Sequence, residues 1–181
     1  MLIIRLTQKL AKKIKVAPTA ALPRDPNPFA DWTANLFTAQ RTQYIILTNS
    51  ASLYSVIFYG RGITESDIFI DRALSYLAEH MRGTGFGEIF DKRIIPLAAE
   101  IVFSKTGDRS LLGSINDHVQ CSKIYLDRLD ASPYEAVRRL NETPMGALDY
   151  RFPCEVLVKQ AGMPEMPKNA GGKIIPFPRK P

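Results

Sequence analysis

The chain opens on Leu2-Ile3-Ile4-Arg5-Leu6, an apolar, β-prone run broken by one charge, and then changes period, with Leu10 and Ile14 at helical spacing behind a capping residue, Thr7. This predicts a strand over 2–6 and a short helix over 8–14. Pro18, Pro23, Pro26 and Pro28 remove backbone donors from the next stretch and predict a loop over 16–28. Three runs rich in aromatic and β-branched residues follow, at 31–38, 43–48 and 53–59, separated by Gln40-Arg41 and Asn49-Ser50-Ala51. Connections this short favour antiparallel neighbours, so the reading is a β-meander. Tyr44-Ile45-Ile46-Leu47 is apolar on both faces, which makes that strand central and covered by helices.

The second half is mainly helical. Thr64 precedes a helix over 65–81 whose stripe is Phe69, Ile70, Ala73, Leu74, Leu77 and Met81. The cluster Gly83-Thr84-Gly85-Phe86-Gly87 stops it. These glycines follow a helix rather than a strand and lack a Gly-Lys-Ser/Thr ending, so they do not read as a phosphate loop. A helix over 86–99, shifted at Pro96, leads to a strand over 100–105 and a long helix over 110–129. Ser132-Pro133-Tyr134-Glu135 starts a helix over 133–141 as a capping box, and a last short helix covers 154–160. Beyond Gly162, proline, glycine and lysine dominate, and such a segment buries too little apolar area to offset its ordering entropy. The expectation is an α+β fold in which an antiparallel β-meander sheet is covered by amphipathic helices. One domain spans 1–162, and 163–181 form a flexible, disordered C-terminal tail.

With 181 residues, of which 45% are hydrophobic, the chain can bury a core without disulfides or metal. Cys121 and Cys154 stand far apart outside any CxxC spacing, which argues for reduced thiols and against a zinc knuckle. The start carries too short an apolar run for a signal peptide, and no run approaches a membrane span. A cytoplasmic protein with no membrane partner is therefore expected. The net charge of +6 resides at the ends: residues 1–16 carry +5 and 163–181 carry +3, while the body sums to −2. A nucleic-acid surface would spread its basic residues through the folded elements, so nucleic acid is not favoured as the main partner. In the tail, Ile174, Ile175, Pro176, Phe177 and Pro178 between basic residues have the make-up of a short linear motif.

Asp108-Arg109-Ser110-Leu111-Leu112-Gly113-Ser114-Ile115-Asn116-Asp117 concentrates polar residues in an amphipathic helix. At about 100° per residue, Leu112, Ile115, Val119, Ser122, Leu126 and Leu129 form its core face. Arg109, Asn116 and Lys123 lie along one flank, and Asp117 points about 100° further round. Structurally, Asp108 or Thr106 would cap the helix, Arg109 would pair with a carboxylate, Gly113 would let a strand approach and Asn116 would satisfy edge carbonyls. Functionally, the guanidinium and amide would form a groove for an anion or peptide backbone, with Trp32 and Asn35 as neighbours.

The leading reading is a small binding or regulatory module for a protein or small anionic ligand, without cofactor. The alternative is an enzyme on a phosphate-containing or nucleic-acid substrate, with Arg109 and Lys105 holding the anion and Asp117 as base. His80 and His118 belong to no nucleophile or metal motif, and His118 with Cys121 supplies at most two ligands, so no metal is expected.

Four segments carry a resemblance: residues 3–10, then Asp31-Trp32-Thr33-Ala34-Asn35-Leu36, then Leu47-Thr48-Asn49 with Leu53-Tyr54-Ser55-Val56, and finally 108–117. Together they resemble an uncharacterised family of small bacterial domains with the patterns R-C-T-K-K-L, W-Y-A-N-L, T-N-x-x-T-L and R-S-V-L-G-S-M-N-D. The resemblance spans most of 1–160 and implies a shared fold and no reaction. The chain departs from it at Leu6, where the pattern has cysteine, and at Thr33, where it has an aromatic.

Overall fold

The computed structural model describes residues 1–18 and 20–163. Five strands, β1 (Leu2–Leu6), β2 (Asp31–Ala39), β3 (Thr42–Asn49), β4 (Ser55–Tyr59) and β5 (Ile101–Lys105), form one sheet in the order β4-β3-β2-β1-β5. The helices are α1 (Gln8–Lys13), α2 (Ser66–Gly83), α3 (Gly87–Ile89), α4 (Arg109–Lys123), α5 (Pro133–Asn141) and α6 (Pro153–Gln160). The fold class is α+β.

The expected meander is present, with β2, β3 and β4 antiparallel neighbours and β3 inside the sheet. The sheet as a whole is mixed, which corrects the purely antiparallel expectation. β1 pairs in parallel with β2 on one side and β5 on the other. The short-connection argument holds only where connections are short. From β1 to β2 the chain runs through α1 and the proline-rich loop, long enough for the crossover that a parallel pair requires.

The register sorts the side chains. Phe58 and Phe103 share the face covered by α2, their rings 6.4 and 6.3 Å from Phe69. Thr48 and Ser55 share the opposite face, where α4 and α5 pack. The apolar stripe of α2 docks as its spacing predicts, with Phe69, Ala73, Leu77 and Met81 buried. The run 86–99 is not one α-helix. A π turn (Phe90–Ile94) and a 3-10 turn (Ile95–Ala99) follow α3, since Pro96 lacks the N–H that would close the next α-helical bond. The long helix likewise ends its α-helical part at Lys123 and continues as a π turn over Ile124–Arg128, leaving Leu129 exposed. No helix among the described residues is long and apolar enough to cross a membrane. The expected tail beyond Met163, including its 174–178 motif, lies outside the described residues.

Two polar clusters sit inside this apolar body. In the first, Arg5 on β1 meets Asp31 at the start of β2, with Nη2 2.6 Å and Nε 3.1 Å from Oδ2, and Nε 2.9 Å from Oδ1. Its remaining N–H groups donate to Leu22 O (2.8 Å), Pro23 O (3.0 Å) and, more weakly, Ser104 Oγ (3.5 Å). A charge placed in an apolar strand is tolerated only if paired and fully bonded, and here the proline-rich loop supplies carbonyls for that purpose.

In the second, Ser55 Oγ lies 2.8 Å from Thr48 Oγ1, 3.0 Å from Leu53 O and 2.9 Å from His118 Nδ1. The Ser55 hydroxyl donates to Leu53 O, and the Thr48 hydroxyl and His118 Nδ1 both stand within hydrogen-bond distance of its oxygen. His118 Nε2 is buried with no hydrogen-bond partner among the described residues. Beside it Asn141, the last residue of α5, closes the outer edge of β4: Ser55 N–H donates to its Oδ1 (2.8 Å) and its Nδ2 donates to Ser55 O (2.9 Å).

Candidate functional site

A cleft of about 160 Å³ opens where the β5–α4 junction, the β3–β4 turn, the proline-rich loop and a 3-10 turn at Gly146–Leu148 meet. Asp108, Ser110, Leu111 and Ser114 form one wall, Ser50, Ala51 and Leu53 another, and Arg24, Ala147 and Leu148 complete the lining. Each wall has a local cause. Asp108 caps α4, its Oδ1 accepting from Leu111 N–H at 3.0 Å, so one expected capping role is met. The β3–β4 turn is organised by Asn49, whose Oδ1 accepts from the N–H groups of Ala51 (3.1 Å) and Ser52 (2.9 Å) and from the Ser52 hydroxyl (2.9 Å). Its Nδ2 donates to Pro28 O at 2.8 Å, tying the turn to the proline-rich loop.

That turn holds Leu53 at φ 59°, a left-handed conformation that costs a side-chain-bearing residue roughly 1–2 kcal/mol. The strain is held by the Leu53 N–H bond to Asn49 O (3.0 Å) and by packing with Met145, Leu148 and Val156 in a small second apolar cluster. Beneath the cleft, Ser50 donates its hydroxyl to Asp31 Oδ1 at 2.8 Å and so rests on the Arg5 ion pair. The cleft floor is thus anchored to the centre of the sheet, while Arg24 at the rim is exposed and has no ion-pair partner among the described residues.

The residues singled out from sequence are placed differently from the wall they flank. Arg109, Asn116, Asp117 and Lys105 are exposed, and among the described residues none of their side chains makes a hydrogen bond or ion pair. Arg109 and Asn116 share a flank of α4 but stand about 10 Å apart along its axis, and Asp117 about 12 Å from Arg109. Trp32 is fully buried and donates its indole N–H to Phe29 O at 2.9 Å. Asn35 is half-buried and bonds through Oδ1 to the Thr7 hydroxyl at 3.2 Å. The structure therefore does not gather these six into one groove. Gly113 is also no close-approach glycine, since a Cβ there would meet nothing within 4 Å.

The two histidines are buried. Burial pushes both down to about 4, with exposed Asp117 pulling His118 slightly the other way. His80 stands edge-on to Tyr134 at 4.8 Å and borders an apolar cavity of about 50 Å³ between α2, α5 and β4, room for one or two waters. Both cysteines are free thiols, and burial pushes Cys154 up to about 11 and Cys121 up as well. Among the described residues, no three His, Cys, Asp or Glu side chains come together as a metal site.

Sequence reasoning missed Arg5, Ser50, Ser55, His118 and Asn141 as partners in buried networks. Only Arg5 left a signal, as the one charge inside an otherwise apolar strand, and Asp31 is its nearest acid in register.

No curated protein matches the chain. One family does, over a stretch that takes in β2 to β5, all of β1 but Leu2, the complete cleft and both buried networks. Matching it across residues 3–156, the chain belongs to the family described as Domain of unknown function (DUF6933).

Proposed function

We propose that this domain is a binding module of the cytoplasm whose recognition site is the cleft between the α4 N-terminus and the β3–β4 turn, and whose ligand is small and carries an anionic group. The observation that supports this reading most is Arg24, exposed and without an ion-pair partner among the described residues, beside the hydroxyl of Ser110 at the start of α4 and facing the β3–β4 turn held by Asn49. A guanidinium is suited to fork onto a carboxylate or phosphate. The cleft volume corresponds to about five water volumes, which fits a small polar group rather than a cofactor. The two free cysteines agree with a reducing compartment.

The experiment is an amide NMR titration of the full chain with inorganic phosphate and, separately, with acetate. Saturable shifts at Ser50, Leu53, Ser110 and Leu111 are expected, and they should vanish in Arg24→Ala while surviving in Arg109→Ala. If neither anion moves these amides saturably, or if Arg109→Ala alone abolishes the shifts, the cleft is not the recognition site.

A further inference from the structure

The two edges of the sheet are finished differently. On β4, the outward backbone groups of Ser55 are closed by Asn141. On β5, Leu2 N–H donates to Glu100 O at 2.7 Å, so in the parallel ladder Val102 and Ser104 turn toward β1 while Ile101, Phe103 and Lys105 face outward. Lys105 N–H is taken by Ala20 O at 3.0 Å. The N–H and C=O groups of Ile101 and Phe103 have no partner among the described residues, and 101–103 are only half-buried. An open edge of this kind is a template for another strand.

We propose that this edge is a docking site for the chain's own residues 173–179, added as a sixth strand. Three observations support that occupant. The first is where the chain leaves the described residues: Ala161 O accepts from Arg93 Nη2 at 3.5 Å, and Arg93 lies in the run of turns that leads into β5. The second is reach, because nine residues separate Met163 from Lys173, and the ten steps between the two can span up to about 33 Å when extended. A tether that short holds its end at an effective concentration of about millimolar.

The third is the position of the prolines. A strand added at an edge bonds inward through alternate residues only, and proline is admitted where its missing N–H faces away. Pro176 and Pro178 stand two apart, so both face outward together, and Lys173, Ile175, Phe177 and Arg179, all with N–H groups, face β5. Ile175 and Phe177 can then exchange four hydrogen bonds with Ile101 and Phe103. The same prolines deny a donor to any further strand and so finish the sheet.

The test is hydrogen exchange at the Ile101 and Phe103 amides in the full-length protein. Both should exchange about tenfold or more slowly in wild type than in Ile175→Pro, which removes an inward donor. Ile174→Pro, an outward position, should keep the protection. Neither substitution touches the described core, so loss of folding does not confuse the readout. Equal exchange in wild type and Ile175→Pro overturns the proposal. Protection that rises with protein concentration alongside a doubled mass also overturns it, since a second copy then occupies the edge.

Discussion

Acid should weaken this protein through two side chains that touch no ligand. His80 and His118 are buried as neutral rings and burial holds them down to about 4, whereas in the unfolded chain they titrate at about 6.5. Between those values the unfolded chain binds two protons that the folded one refuses. Stability is therefore complete above about pH 6.5, declines as pH falls through the window, and reaches its floor near pH 4. With each tenfold difference in proton affinity amounting to about 1.4 kcal/mol, one histidine removes about 2 kcal/mol at pH 5 and about 3 kcal/mol at pH 4. The pair together removes about 4 kcal/mol at pH 5, a large share of an ordinary domain's stability. Urea unfolding at fixed ionic strength from pH 7.5 to pH 5 reads this directly, above the range in which most carboxylates titrate. His80→Phe keeps an aromatic ring against Tyr134 and should roughly halve the loss, to about 2 kcal/mol at pH 5. A stability that stays flat between pH 7 and pH 5, or a pH slope unaltered in His80→Phe, would refute the reasoning.

Two further outcomes concern the buried networks. Asp31→Ala strands a guanidinium in the sheet and should destabilise by about 3–5 kcal/mol, while Arg5→Met combined with Asp31→Leu should recover much of it, because a paired charge replaced by apolar packing loses little. Urea midpoints of the two variants decide this, and a loss under about 1 kcal/mol for Asp31→Ala would show that the pair is not buried as described. Asn141→Ala leaves the Ser55 N–H and C=O unpaired at a covered edge and should cost about 2–4 kcal/mol with accelerated exchange of the Ser55 amide; an unchanged Ser55 exchange rate would contradict the two bonds between Asn141 and Ser55.

Element identity was largely legible because hydrophobic period reports local conformation. The start of α5 at Pro133 and the stripe of α2 both follow from residues adjacent in sequence. The position of β1 was not legible in the same way: its two partners begin about thirty and one hundred residues away, and nothing in Leu2–Leu6 encodes which neighbours it takes. The cleft was half legible. The segment 108–117 does form a wall, but through Asp108, Ser110, Leu111 and Ser114, whereas the long polar side chains of Arg109 and Asn116 face solvent. Helical angle alone does not say which flank meets another element. The remaining contributors, Arg24 and Ser50, sit in loop and turn sequences whose path is set by bonds to carbonyls far along the chain. Asn141 was invisible for the opposite reason, being an ordinary helix-terminal residue whose task is defined only by the strand edge opposite it.

The place of β1 between β2 and β5 also sets the order in which the sheet can be assembled. β2, β3 and β4 are joined by tight connections and can pair as soon as they exist, with little loop entropy to overcome. The first strand of the chain has to wait, since its pairing with β5 joins Leu2 to Ile101 and Leu6 to Lys105. During synthesis from the N-terminus, Arg5 therefore emerges from the ribosome well before the Ser104 hydroxyl, and before the loop carbonyls and Asp31 that neutralise it are in place. The nascent domain passes through a stage in which its first strand is made but flanked on one side only, and closure comes late, when residues beyond 100 arrive.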